Sequence, residues 1–220
     1  FRKYDRIYQA GTQRRSIGNF IFATDLIRKG KLGKLHTVHA NTRPPGTKHL
    51  WLPGQPEPAK DVCDWNMWLG PCPWRPYHPD DVRGRWRGYF DFHGGGILEW
   101  GAHTVDLCQW AAQKDETAPA KYEPTEDGVV ATYADGLKLV MRTNGWMGMG
   151  TCSVRYEGDE GFIETGDSGN FILSPESLRT QQSVFHRKGT DPTTHIRNFL
   201  DCVKTRALTN ANAAVVAQSH

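Results

Sequence analysis

The chain has 220 residues, 38% of them hydrophobic and 23% charged, an ordinary globular balance with enough length to bury a sizeable core. Its net charge is +3, from 27 basic and 24 acidic residues scattered along the chain apart from Arg14-Arg15 and the Arg83, Arg85, Arg87 alternation, which argues against a nucleic-acid partner. No apolar run approaches the roughly 18 residues of a membrane span, and five cysteines without a C-x-x-C pair argue against a disulfide framework or a zinc site and fit a reducing, cytoplasmic compartment.

In chain order, RIYQA (6–10) reads as a short strand running into the Gly11-Thr12 turn. Ser16 is placed to cap a helix over 17–30, with Ile17, Phe20, Ile21, Ala23 and Leu26 near helical period. LHTVHANTR (35–43) is a strand candidate. Residues 44–82 form a long Pro-, Gly- and Trp-rich irregular stretch with a short helix around DWNMWLG. Of the eight tryptophans, four fall between Trp51 and Trp74, and these rigid surfaces serve a core, an interface or a sugar-stacking pocket. LEWGAHTVDLCQWAAQ (98–113) reads as one helix. Strands follow over 129–134, 137–143, 151–157, 162–165 and 170–174, separated by turns such as Asp135-Gly136. HIRNFLDCVKTR (195–206) is an amphipathic helix with Ile196, Phe199, Leu200 and Val203 at 3–4 spacing. This order predicts an α+β fold: an open, mostly antiparallel or mixed sheet with helices on one face.

The stretch GGGILEWGAH (94–103) carries the clearest chemistry. In one continuous helix Glu99 and His103 stand i and i+4 on a common face, where a carboxylate orients an imidazole for proton transfer. Asp106 shares roughly that face. Bare glycine backbone in front of the pair would admit a flat ligand. The same pattern also arises as a plain helix-surface pair behind a loop, and the residues alone leave both readings open. His36 and His39 point to opposite faces of their strand and make a poor metal pair, and no metal site is expected. No G-x-G-x-x-G, phosphate loop or G-x-S-x-G elbow occurs.

Taken in order, YQAGTQRRS (8–16), GKLGKLHTVHA (30–40), WNMWLGPCPWRPY (65–77), WRGYFDFHGGGILEWGAHTVDLCQW (86–110) and HIRNFLDCVKTR resemble the C-terminal part of the Gfo/Idh/MocA oxidoreductases. The resemblance covers nearly the whole chain. It implies that residues 1–15 are the end of a truncated Rossmann domain and 16–220 the family's C-terminal α/β domain, truncated at its C-terminus. It implies NAD or NADP as cofactor, a sugar or polyol substrate, and a homo-oligomer formed through the open sheet. Any export leader would lie upstream of Phe1. By the same resemblance His103 and Glu99 are catalytic, with Glu99 standing where the family usually has Asp. Gln13, Arg14, Trp86 and Arg87 would lie near the cofactor, and Trp65, Trp74 and Asp106 near the substrate. Two other outcomes of the resemblance are an NAD-dependent glycosidase and a non-catalytic oligomerisation or carbohydrate-binding module.

Overall fold

Period-two burial in the second half of the chain builds the sheet. The computed structural model describes residues 2–46, 52–179 and 191–219, so that Trp51 lies outside it. The contacts divide the chain into two units, one running up to Arg43 and resuming at Trp100, the other spanning Pro44–Glu99.

The first unit holds a seven-stranded sheet. Its strands are β1 (Leu35–Asn41), β2 (Lys121–Thr125), β3 (Gly128–Thr132), β4 (Lys138–Arg142), β5 (Val154–Gly158), β6 (Gly161–Thr165) and β7 (Phe171–Ser174), in the order β2-β3-β4-β1-β5-β6-β7. β1 runs parallel to β4 and antiparallel to β5, and every other pairing is antiparallel. The registers set Ala131, Leu139, Val38, Tyr156, Ile163 and Leu173 in one row across the sheet, and all six are buried. Such alternation fixes register, because a one-residue slip would turn the row to the other face.

Helices α1 (Gly18–Arg28) and α5 (Gly101–Ala111) cover that row, packing on each other, with α5 against β1, β4 and β5 and α1 against β6. Polar atoms at this seam are satisfied in place. Thr104 Oγ1 donates to the Asn41 carbonyl at 2.8 Å, and the buried Cys108 thiol donates to the His39 carbonyl at 3.5 Å. Burial pushes the Cys108 thiol well above its ordinary range, so it behaves as a small core residue rather than a nucleophile. Two further helices, α6 (Thr193–Thr205) and α7 (Ala213–Ser219), complete the unit.

The opposite sheet face is charged. Arg155 binds Glu157 at 2.6 Å and Glu164 at 3.5 Å, and lies 3.8 Å over the Phe162 ring. His39 Nε2 stands 3.5 Å from Glu157. Burial lowers the His39 pKa, with Glu157 pulling against it. Burial also opposes ionised Glu157, but Arg155 and His39 together outweigh it and hold that carboxyl low.

The fold is the expected one, and the differences are local. Residues 6–10 are not a strand; they are pinned to the far end of the chain by Ala10 N–H to the Ala211 carbonyl at 2.9 Å and Thr209 Oγ1 to the Tyr8 carbonyl at 2.7 Å. Ser16 does not cap α1. Its hydroxyl is taken by His195 Nδ1 at 3.1 Å and Asn210 Nδ2 at 2.6 Å, and Ile17 occupies the cap position. The helix expected over 98–113 is divided at Trp100 into α4 (Gly96–Glu99) and α5.

The second unit has a small aromatic core. Asp64 caps α2 (Trp65–Leu69) by accepting the Met67 N–H at 3.0 Å, and Gly70 at φ +55° ends it. His78 caps α3 (Pro79–Val82), with Pro79 in its first turn. Trp65 stacks on Trp68 at 4.7 Å and meets Tyr77 edge-on, and its indole donates to the Arg75 carbonyl at 2.8 Å. The Arg75 guanidinium lies over Tyr89 and Phe92 at 4.6 and 5.0 Å.

The triple glycine belongs to this unit. Gly95 bridges Pro45, the Gly46 N–H bonds the Gly94 carbonyl, and the Gly96 N–H bonds the Pro44 carbonyl, both at 2.9 Å. Gly95 has φ +79°, and a Cβ there would sit 1.9 Å from the Gly46 nitrogen. Gly95 is required by backbone lying on backbone within the chain itself.

Candidate active site

Within the second unit, the 3-10 turn Arg85–Gly88 and α4 assemble one constellation around the glycines. Arg87 Nε donates to Glu99 Oε1 at 3.2 Å, and His93 Nε2 faces Glu99 Oε2 at 3.8 Å. The Arg87 guanidinium lies 4.4 Å over the Trp86 ring, and Trp86 meets His93 edge-on at 5.2 Å. Trp86, Arg87 and Glu99, three of the residues singled out in the sequence, are thus brought together. The structure adds His93, half-buried, which no spacing rule had marked. Its position immediately before the glycine run was the available signal.

Trp65 and Trp74 part company. Trp65 is 3% exposed and built into the aromatic core, so its substrate-facing expectation gives way to a packing task. Trp74 is 69% exposed.

In the first unit, His103 lies in the first turn of α5, half-buried, its N–H bonded to the Trp100 carbonyl at 3.0 Å. Because the helix divides at Trp100, the i,i+4 ladder imagined between residues 99 and 103 is not a continuous one. Gln13 is half-buried in the 3-10 turn Gln13–Ser16. The two arginines after it fork in different directions. Arg14 grips Asp167 with two bonds, at 3.1 and 2.7 Å, and Asp167 also accepts from Thr151 at 2.7 Å. Arg15 grips Asp106 with two bonds at 2.7 Å and Asp115 with two more at 3.0 and 2.6 Å. Burial works against the Arg15 charge, but the hydrogen bonds it donates to Asp106 and Asp115, with their negative charge, outweigh it and raise its pKa. Burial pushes the Asp106 carboxyl up, with Arg15 and Ser219 pulling against it. Ser219 completes the shell by donating to Asp106 Oδ1 at 2.8 Å. Asp106 therefore appears as an ion-pair anchor with both oxygens occupied, and Arg14 as a clamp on Asp167, which differs from the substrate and cofactor contacts expected of them. Asp167 lies 153 positions from Arg14 in the chain, beyond the reach of local pattern.

Comparison with known proteins decides the family. Residues 45–219 match the model of the Gfo/Idh/MocA oxidoreductase family, C-terminal α/β domain. The chain belongs to this family. All the expected site residues except Gln13 and Arg14 fall inside the matched span of this Gfo/Idh/MocA domain. Among solved structures, levoglucosan dehydrogenase in complex with NADH and levoglucosan superposes with a TM-score of 0.59 at 12% identity, covering 99% of this chain and 62% of that one. Aldose-aldose oxidoreductase from Caulobacter crescentus, complexed with glycerol, gives 0.56 at 14% identity, covering 99% and 60%. The WlbA dehydrogenase from Bordetella pertussis, in complex with NADH and UDP-GlcNAcA, gives 0.54 at 13% identity, covering 94% and 56%. The chain therefore spans 56–62% of the length of these solved chains, and at such identity the likeness speaks to fold alone. No curated protein sequence matches it.

Proposed function

We propose that this chain is the substrate-binding part of an NAD(P)-dependent oxidoreductase that oxidises a hydroxyl of a sugar or polyol. Residues 1–15 are read as the end of the nucleotide-binding domain that such an enzyme requires. The observation that carries the reading is the family match over 45–219, which contains both Glu99 and His103. The sugar ligand and NADH named for levoglucosan dehydrogenase support the substrate class and the cofactor.

A nicotinamide cofactor, when bound, would supply the hydride acceptor for the carbinol carbon. This chain fits only the edge of such a group. Arg87 offers a guanidinium whose side chain is 53% exposed, suited to an anionic or carbonyl oxygen, whereas the Arg14 guanidinium is 7% exposed and committed to Asp167. No glycine fingerprint for a pyrophosphate occurs in the 220 residues. In this reading a His103 ring nitrogen takes the hydroxyl proton, and the Glu99 carboxylate, paired with Arg87, is taken as the other catalytic group. Trp74 offers an exposed ring for sugar stacking.

The experiment is to express this domain behind its nucleotide-binding domain and screen aldoses, polyols and glycosides for NAD(P)H formation. Stoichiometric reduced nicotinamide with a sugar or polyol is the expected result. Glycoside cleavage without net NAD(P)H, or ligand binding with no chemistry at all, would overturn it.

A further inference from the structure

The reading above leaves His93 unused, and its surroundings are unusual in one respect. A single nitrogen, Nδ1, has two neighbours of opposite demand. The Gly95 N–H points at it from 3.1 Å, and the Arg87 carbonyl oxygen lies 3.2 Å away. A neutral imidazole with its proton on Nε2 accepts from Gly95 and turns Nε2–H toward Glu99 at 3.8 Å. An imidazolium carries a proton on both nitrogens, so Nδ1 must donate. The Arg87 carbonyl is there to receive it, and the Gly95 N–H then loses its acceptor. Among the described residues, Arg87 and Glu99 are the charged residues placed against this ring, Arg87 through its backbone and Glu99 through its carboxylate.

Gly95 is where this exchange would act on Glu99. The Gly95 carbonyl accepts the N–H groups of Leu98 and Glu99, at 3.2 and 3.0 Å, and so starts α4. His93 thus reaches Glu99 twice: through its ring to the carboxylate, and through the Gly95 peptide to the backbone that carries it. Arg87 closes the circuit, with its carbonyl on His93 and its Nε on Glu99.

We propose that His93 is a positioning residue for Glu99, and that protonation of its ring exchanges the hydrogen bond to Gly95 for one to Arg87 and resets the turn that presents the carboxylate. The proposal rests on Glu99 belonging to the active site. The swap is a proton-linked exchange of two hydrogen bonds; no covalent bond to carbon or nitrogen of the backbone changes.

The test uses the full-length protein with nitrogen-labelled glycine and the variants His93→Gln and His93→Ala. In the parent, acidification moves the Gly95 amide resonance, and in both variants that movement disappears. In the activity assay His93→Gln lowers kcat by about 10- to 100-fold, the scale of a small misplacement of a reacting group, and alters the acid limb of its pH profile while KM changes little. A Gly95 amide that titrates alike in parent and variants, or one that does not respond in the parent, overturns the exchange. An unchanged kcat and pH profile in His93→Gln overturns the positioning role. If no hydride-transfer activity exists at all, the Gly95 titration still decides the exchange, so the two readings fail separately.

Discussion

The two units are stabilised by different means. The sheet unit buries a continuous apolar row and then ties its N-terminal turn down with paired charges, Arg14 to Asp167 and Arg15 to Asp106 and Asp115. The 44–99 unit has little regular structure. It relies on stacked aromatics around Trp65 and on glycine backbone laid against residues 44–46. Rigidity in the first comes from burial, and in the second from shape. The difference teaches which ion pairs stay open to solvent at these positions. Arg14 and Arg15 of the sheet unit are buried against Asp167 and Asp106, whereas the 44–99 unit keeps the Arg87–Glu99 pair half-exposed.

The contrast is broken most sharply at Arg15. Arg15→Met leaves Asp106 buried without its partner, and chemical denaturation should show a loss of about 3–5 kcal/mol. Trp65→Ala should cost a similar ~3–5 kcal/mol by opening the aromatic core. Trp74→Ala should change stability by less than about 0.5 kcal/mol, since the ring is exposed. If the two tryptophan variants behave alike, the assignment of one to packing and the other to the surface fails.

Gly95→Ala comes next. It adds about 1–3 kcal/mol of backbone strain at φ +79°, on top of overlap with Gly46. Limited proteolysis should find new cleavage inside 44–99 while the sheet unit stays intact. Cleavage spread evenly over the chain would contradict a turn that is local to its own unit.

The smallest effect is on the open sheet face. Burial holds the folded His39 pKa below its ordinary 6.5, so the unfolded chain binds the proton more readily. Stability is therefore full above that value and falls as pH drops below 6.5 toward the folded pKa. A decline of about 2–4 °C in Tm per kcal/mol lost is the scale to look for, and His39→Gln should remove it. A rise in Tm over the same interval would mean that Glu157, rather than burial, governs this imidazole.

Much of this architecture was legible in the sequence because it is periodic. The period-two runs gave β3 to β7 within a few residues, and the 3–4 spacing gave α1 and α6. β2 (KYEPT) escaped separate notice because its five residues are all exposed and show no alternation. Ser16 failed as a cap for a different reason. Its hydroxyl is drawn away by His195 and Asn210, partners more than 170 positions off that no local rule contains. At the site, Glu99 was legible as a carboxylate behind a glycine run, and Arg87 and Trp86 through the family resemblance. The break at Trp100, and the service of the glycines to Pro44–Gly46 rather than to a ligand, depended on a backbone contact across some 50 residues.

Proton handling by His103 in hydroxyl oxidation is the proposal on which the functional reading of this Gfo/Idh/MocA domain rests. The most direct measurement is single-turnover hydride transfer to NAD(P) in the full-length protein and its His103→Ala variant, with the substrate found in the screen. The account predicts a loss of about 100-fold or more in the hydride-transfer rate, the usual contribution of a positioned acid–base group, with substrate still bound. An unchanged rate in the variant would contradict it.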